Sequence, residues 1–389
     1  MKKNQKKKQR KIFILFFSIS LTIFILLVGT YAWFIGMSTV LTGDINVTIS
    51  STVGLELSLD GVNWENQVLT VNPSTIESIY SGNTNKYPSS TGLIPYSTNG
   101  MFSETSGRLI FYDKTSLGSS PGGYRLFSNS ISNYPTEADG YFVFDLFIRN
   151  GTSGAYDPSS DATAAEDVYL TANSKALSIP KADNDVNYGV ANSLRVGFFE
   201  IGRIKSENYN STTLTGITCS GGDGITTSCS TTAQSLANNR GYTWNIWEPN
   251  NASHDSRLVE YFNNVCKKRN STTGVYESTS CTTLTEDSDV HTYAINSPIT
   301  SDNTVDIYDG INGYNSQKLT EMITYKTSDD ANYSNDKLAF IKLAGNSVTK
   351  VRVYIWLEGQ DIDNYDLVAN DSEVRINFGL TKDKFALPN

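Results

Sequence analysis

The chain has 389 residues and a formal net charge of −9, although seven basic residues lie in its first 11 positions. Beyond that tail, 31 − 7 = 24 basic residues face 40 acidic ones, a formal charge of 24 − 40 = −16. Such an acidic surface repels phosphate backbones, so nucleic acid is excluded as an expected partner. The abundance of Ser, Thr, Asn, Gly and Tyr is typical of exported β proteins and predicts a mostly β fold.

An apolar segment, residues 12–36, follows the basic tail of residues 1–11 and contains no charged side chain. As a helix rising about 1.5 Å per residue, it is long enough to cross a hydrocarbon core of about 30 Å. Positive charge favours the cytoplasmic side, so residues 37–389 are expected outside the cell. The sequence therefore predicts a single-pass transmembrane helix, with its N-terminus cytoplasmic and the remainder extracellular.

The fate of the apolar segment stays open. Its largely apolar run, residues 12–28, is longer than the apolar core of most cleaved signal peptides, which favours a retained membrane anchor. Thr30 and Ala32 are small residues suitably placed for cleavage before Trp33, which favours secretion instead. Either outcome places the acidic remainder outside the cytoplasm.

Alternating apolar residues predict half-buried strands along the exported part. The predicted strands are residues 45–49, 55–59, 68–71, 108–112, 140–149, 168–170, 194–201, 242–248, 337–343, 347–358 and 373–380. Strand 140–149 is apolar on both faces, which predicts a central strand covered on both sides. A helix is predicted at residues 256–267, where apolar residues recur at helical spacing.

All four cysteines lie in residues 204–300, a polar stretch that we interpret as an insertion into the main β domain of residues 37–389. An even cysteine count in an exported chain predicts disulfides. Close spacing favours sequential pairing among three possible connectivities, with Cys219 bonded to Cys229 and Cys266 bonded to Cys281. Neither pair has the spacing of a zinc site.

Catalytic motifs are scarce. The chain has two histidines, His254 and His291, and lacks a nucleophile elbow, a metalloprotease motif and a phosphate-binding loop. The sequence therefore predicts a non-enzymatic protein, and a serine hydrolase is the less favoured alternative.

Two carboxylate clusters are weak calcium candidates, and calcium is the one cofactor that the sequence suggests. The candidate ligands are Asp183, Asp185, Asn187, Glu358, Asp361 and Asp363. The first cluster alternates oxygen side chains, but it lacks the glycine and glutamate positions of a calcium-binding loop. Turn capping by Asp and Asn is the competing interpretation of both clusters.

An aromatic stretch provides a possible ligand platform. It contains Trp244, Trp247, Glu248 and Asn250, and aromatic rings of this kind can stack on sugars. A surface adhesin or carbohydrate-binding module is therefore the alternative function. The competing interpretation is that these aromatic residues belong to the core.

The N-terminal region resembles that of the TasA/camelysin family of bacterial surface and biofilm-matrix fibre proteins. The resemblance rests on the apolar helix, Gly29-Thr30-Tyr31-Ala32-Trp33-Phe34, and Thr42-Gly43 opening an alternating strand. Strand 142–150 with its Asn-Gly turn, strand 168–170 and the closing strand 373–380 are also similar. The family usually has Tyr-Phe-Ser-Asp near the cleavage point, whereas Trp33-Phe34-Ile35-Gly36 here lacks the Asp.

The resemblance implies an extracellular β-sandwich of jelly-roll type and a structural or matrix role at the cell surface. It also implies assembly by strand exchange, with a donor strand within residues 33–50. The expected partners are therefore the membrane through residues 12–36 and further copies of the chain or other surface proteins. A retained anchor would tether the donor segment, so anchoring and polymerisation compete.

Overall fold

A computed structural model describes the chain from Asp44 onward in separate segments. The described residues are 44–52, 54–72, 74–76, 92–101, 108–114, 116–120, 123–132, 137–151, 166–171, 173–180, 190–206, 210, 214, 245–249, 268–269, 276–277, 292–299, 319–322, 324–326, 339, 341–361, 364 and 371–382. The helices predicted at 12–36 and 256–267 lie outside them. In these segments no helix combines the length and apolar character that a membrane crossing requires.

Strands dominate the described residues, which confirms the mostly β fold. In chain order they are β1 (Asp44–Ser51), β2 (Leu55–Ser58), β3 (Val68–Val71), β4 (Pro95–Ser97), β5 (Tyr112–Asp113), β6 (Ser116–Ser120), β7 (Gly123–Phe127), β8 (Phe142–Asn150), β9 (Glu166–Leu170), β10 (Lys175–Pro180), β11 (Leu194–Lys205), β12 (Asn245–Glu248), β13 (Lys268–Arg269), β14 (Tyr276–Glu277), β15 (Thr292–Ile295), β16 (Leu319–Met322), β17 (Thr324–Lys326), β18 (Ile341–Leu343), β19 (Ser347–Glu358) and β20 (Asp371–Thr381). A short 3₁₀ helix, Val190–Ser193, leads into β11.

A six-stranded sheet forms one layer of the described structure. Its order is β18-β9-β20-β1-β3, and β10 pairs with β20 as well. Strands β1 and β20 run parallel, whereas the other pairs are antiparallel. The first and last described strands of the chain therefore lie side by side.

An eight-stranded sheet forms the second layer. Its order is β17-β12-β11-β19-β4-β5, with β8 beside β19 and β2 beside β8. The long strand β19 is antiparallel to β11 along one edge and to β8 along the other. Every residue of β19 is buried, so this strand forms the centre of the sheet.

Alternate side chains of the two sheets meet in one apolar core. The ring of Phe198 in β11 lies 5.1 Å from that of Phe378 in β20, and Trp247 in β12 approaches Phe378 at 6.3 Å. Large apolar side chains contribute about 1.5 to 3 kcal/mol each when fully buried, so this interior is the main source of stability.

The opposite face of the eight-stranded sheet is also covered. A second apolar cluster there contains Val143 of β8, Trp356 of β19 and Phe111 from a preceding segment. Since Phe144 lies in the core between the sheets, β8 is covered on both faces, as its sequence predicts.

Most of the predicted strands with described residues are confirmed, with corrections in extent and with strands that were not predicted. Strand 108–112 is wrong in extent, because only Tyr112–Asp113 is a strand there. Strand β11 continues four residues beyond the predicted end, through an irregularity in pairing between Glu200 and Gly202. The sequence did not predict β10, nor did it predict β4, β6, β7 and the strands β13 to β17.

Candidate functional site

Strand β1 is the first described strand after the predicted export segment, and it is hydrogen-bonded along both edges. Its residue Val47 is in register with Ile376 of β20 on one side and with Val71 of β3 on the other. The backbone bonds continue past its end, where the Thr52 amide donates to the Leu380 carbonyl at 3.0 Å. β1 is therefore an integral strand of the six-stranded sheet.

The alternation of β1 divides its side chains between the core and the outer face. Ile45, Val47 and Ile49 are at most 3% exposed and belong to the core between the sheets. On the outer face, the Asn46 amide donates to Glu373 Oε1 at 2.9 Å. Without β1 the edges of β20 and β3 that it occupies would be unpaired, and such edges accept another strand readily.

A buried charge cluster collects several of the residues that the sequence singled out. Arg195 of β11 lies with Nη2 2.8 Å from Glu248 Oε1, and it also bonds the carboxylate of Asp361. The other terminal nitrogen, Nη1, donates to the carbonyl oxygens of Asn192 and Leu194. These contacts attach the start of β11 to the end of β12 and to the turn after β19.

Glu358 completes this Arg195 cluster at the end of β19. It accepts hydrogen bonds from the Trp356 indole at 3.2 Å and from the Gln360 backbone amide at 3.1 Å. Burial raises the pKa of Glu358 to about 7, against the opposing effects of a Ser97 hydrogen bond and of the Arg195 charge. Burial lowers the pKa of Arg195, but the charges of Glu248 and Asp361 outweigh it and raise that pKa overall.

This geometry bears on the calcium candidates. Glu358 and Asp361 are buried, and the cation beside them is the guanidinium of Arg195. Within the described segments, no three His, Cys, Asp or Glu side chains are placed to hold a metal. Asp363 and the group Asp183, Asp185 and Asn187 lie outside the described residues.

The possible ligand platform is described only in part. Trp247 is fully buried in the core, so its ring offers no surface to a sugar, and Glu248 is fully buried against Arg195. Trp244 and Asn250 lie outside the described residues. The same is true of the four cysteines, Cys219, Cys229, Cys266 and Cys281.

A second buried charge cluster, centred on Asp145, was not recognised from the sequence. Arg352 binds Asp145 through two hydrogen bonds, of 2.8 and 3.2 Å, and Lys350 Nζ lies 3.3 Å from Asp145 Oδ2. Burial lowers the pKa of Lys350, a shift that Asp145 opposes and the Arg352 charge favours. These pairs join β8 to β19 beneath the second apolar cluster.

Glu137 extends the Asp145 cluster. It accepts hydrogen bonds from the hydroxyls of Tyr141 and Tyr354 at 2.6 and 2.8 Å, and Arg108 Nη1 lies 2.7 Å from its Oε1. One signal for this cluster was present in the sequence. A single Asp interrupts the apolar strand 142–150, and Lys350 and Arg352 interrupt the apolar strand 347–358, which suggests a cross-strand pair.

Comparison with known proteins yields no matching family model, curated protein or solved structure.

Proposed function

We propose that the chain is a non-enzymatic structural or matrix protein of a bacterial cell surface. It is exported by residues 12–36 and either stays anchored as a single-pass membrane protein or is cleaved near Ala32 and secreted. Its exported part is a jelly-roll β-sandwich that carries a disulfide-containing insertion at residues 204–300. The resemblance to TasA/camelysin proteins supports this proposal.

The observation that carries the proposal is the position of β1. This strand begins eight residues after Gly36, the end of the apolar segment, and it supplies three buried side chains to the core. Burying three such side chains is worth roughly 6 kcal/mol, so a copy that lacks its own β1 gains by accepting the same strand from a neighbour. Repetition of that exchange builds a fibre.

The parallel register of β1 on β20 allows a direct test of strand exchange. Asn46 and Arg375 are register partners on the outer face, so Asn46→Cys combined with Arg375→Cys places two thiols opposite each other. In a self-contained monomer this pair forms a disulfide within one chain. In exchanged assemblies it joins successive chains, and a non-reducing gel shows a ladder.

A matched pair provides the control. Leu177 of β10 is the other register partner of Arg375, and β10 stays with its own β20 whichever copy supplies β1. Leu177→Cys with Arg375→Cys therefore links within one chain in monomers and fibres alike. The wild-type chain, with its own four cysteines, sets the background.

Surface-extracted protein carrying the Asn46 and Arg375 cysteines should give the ladder, and the control pair should not. Intrachain disulfides alone under every assembly condition would rule out exchange through β1. N-terminal sequencing of the same material distinguishes a retained anchor from cleavage near Ala32.

A further inference from the structure

Three side chains of complementary chemistry meet where the two large sheets come together. Asn150 is the last residue of β8, Glu166 is the first of β9, and Lys382 follows the last residue of β20. Strand β8 belongs to the eight-stranded sheet, whereas β9 and β20 belong to the six-stranded sheet. A bond between Lys382 and Asn150 would therefore connect the two layers.

The distances place an amine, an amide and a carboxylate in mutual contact. Lys382 Nζ lies 3.2 Å from Asn150 Oδ1 and 3.2 Å from Glu166 Oε2. The Asn150 amide nitrogen donates to that same Glu166 oxygen at 2.6 Å. One carboxylate oxygen thus touches both the amine nitrogen and the amide nitrogen.

The surroundings hold the amide in place and leave room for the amine. Asn150 is fully buried, and its Nδ2 also donates to the Ala344 carbonyl at 3.2 Å, which fixes the plane of the amide. Gly54, at φ +90°, lies under the lysine, and a Cβ there would stand 3.1 Å from Lys382 Nζ. The side chains of Lys382 and Glu166 are 18% and 33% exposed, so the site is partly shielded from water.

We propose that Lys382 and Asn150 become joined by an intramolecular isopeptide bond, with Glu166 as the proton carrier. Glu166 accepts a proton from Lys382 Nζ, and the neutral amine attacks the Asn150 amide carbon. The new Nζ–Cγ bond forms and the Cγ–Nδ2 bond breaks. The two protons that Nζ loses pass through Glu166 to Nδ2, so that the amide nitrogen leaves as ammonium. No oxidant, reductant or cofactor enters this balance.

The arrangement meets the general requirements of such a reaction. Reactions are fastest when the reacting atoms are held close together, and Lys382 Nζ lies 3.2 Å from Asn150 Oδ1, which is bonded to the carbon that the amine would attack. A carboxylate in contact with both nitrogens can take up and return a proton without moving. The competing interpretation is a simple ion pair between Lys382 and Glu166, hydrogen-bonded to Asn150.

A second cluster on the six-stranded sheet provides a matched control. The Asn46 amide donates to Glu373 Oε1 at 2.9 Å, and the neighbouring cation is Arg375, whose Nε donates to the same oxygen at 2.7 Å. A guanidinium stays protonated and is no nucleophile. Asn46 and Asn150 thus share an amide–carboxylate contact, but only Asn150 has a lysine beside it.

The test is mass spectrometry of the full-length chain, purified in detergent and digested with trypsin. Trypsin cuts after Arg149, Lys175, Arg375 and Lys384, and a bonded Lys382 resists cleavage. The expected product is a branched peptide joining residues 150–175 to residues 376–384, lighter by one ammonia than its two parts. Recovery of the two regions only as linear peptides from folded protein would overturn the proposal.

Three variants assign the roles. Lys382→Arg keeps a positive charge beside Glu166 and should abolish the branched peptide, and Glu166→Gln should abolish it or reduce its yield at least tenfold. Asn46→Ala should leave the yield unchanged. Full yield in Glu166→Gln would overturn the role of Glu166, and circular dichroism of each variant verifies that it is folded. The inference stands independently of strand exchange through β1.

Discussion

The effect of Glu358 on the free energy of unfolding depends on pH. Its pKa in the folded chain is about 7, against an ordinary value of 4.5, because burial penalises the ionised carboxylate. Below about pH 4.5 Glu358 is protonated in both the folded and the unfolded state, so its burial does not lower the free energy of unfolding. As the pH rises to about 7, the unfolded state releases its proton while the folded state keeps it, so the free energy of unfolding falls.

The first prediction concerns Glu358→Gln. The pKa difference corresponds to about 3 kcal/mol, which the wild type should lose between about pH 4.5 and pH 8 relative to the variant. Urea unfolding across this range measures it. The exposed Glu65, changed to Gln, should follow the wild-type curve, and parallel curves for wild type and Glu358→Gln would contradict the prediction.

The second prediction concerns Asp145, the counter-charge of two buried cations. Asp145→Asn leaves Arg352 and Lys350 without their nearest carboxylate, and breaking a buried pair typically costs roughly 3 kcal/mol or more. The midpoint of urea unfolding should therefore fall clearly. Arg375→Ala removes an exposed partner of Glu373 and should leave the midpoint unchanged. Equal effects of the two changes would show that Asp145 is not a buried counter-charge.

At the residue scale, the sequence identified acidic residues but not their partners. Glu358 and Asp361 stood out as oxygen ligands, yet their cation is Arg195, which lies more than 150 positions earlier in the chain. Contacts at such separation depend on strand pairing, and alternation within one strand carries no information about it. Local spacing suggested calcium beside these two residues, whereas the described structure places Arg195 there.

At the element scale, the apolar pattern predicted the longest strands, β1, β8, β11, β19 and β20, because a sheet imposes period two on its residues. Strand β10 was not predicted, because its large apolar side chain is exposed and a small one is partly buried. Its Leu177 is 44% exposed on the outer face, while the small residue Ala176 packs on the core. Alternation also placed β1 correctly, but it could not show that β1 lies parallel to β20, with Asn46 bonded to a residue 327 positions away.

The third prediction concerns the contact between β1 and β20. A Cβ on Gly379 would stand 2.3 Å from Thr171 Oγ1 and 2.9 Å from Ser50 Oγ, so Gly379→Ala must displace both neighbours. Overpacking of this kind costs about 1 to 3 kcal/mol, and it should loosen the end of β1 first. Hydrogen exchange of the β1 amides is the measurement.

Gly151→Ala is the matched control for Gly379→Ala, because nothing lies within 4 Å of a Cβ at that position. It should leave the exchange of β1 amides unchanged. Unaltered β1 protection in Gly379→Ala would mean that the two strands separate independently of their packing at Gly379.

At the scale of the whole molecule, the first and last described strands lie in the same sheet. β1 and β20 lie side by side, and β20 continues directly to Lys382 beside Asn150. The sequence predicted a mostly β chain, but not the contact of Lys382 with Asn150 and Glu166. These three residues lie in separate segments, so no local pattern connects them. A covalent bond there would hold β20 against β8 when β1 leaves. The edge of β20 that accepts a new β1 strand would therefore stay in place.

The last prediction is that this bond governs the stability of the whole molecule. It would close a loop between positions 232 residues apart, and the chain-entropy treatment of cross-links gives roughly 5 kcal/mol for loops of this size. Lys382→Arg should therefore lower the midpoint of thermal unfolding by about 10 °C, whereas Asn46→Ala should lower it far less. Calorimetry of the full-length proteins measures both midpoints. An equal, small shift in the two variants would indicate that Lys382 contributes an ion pair and no covalent closure.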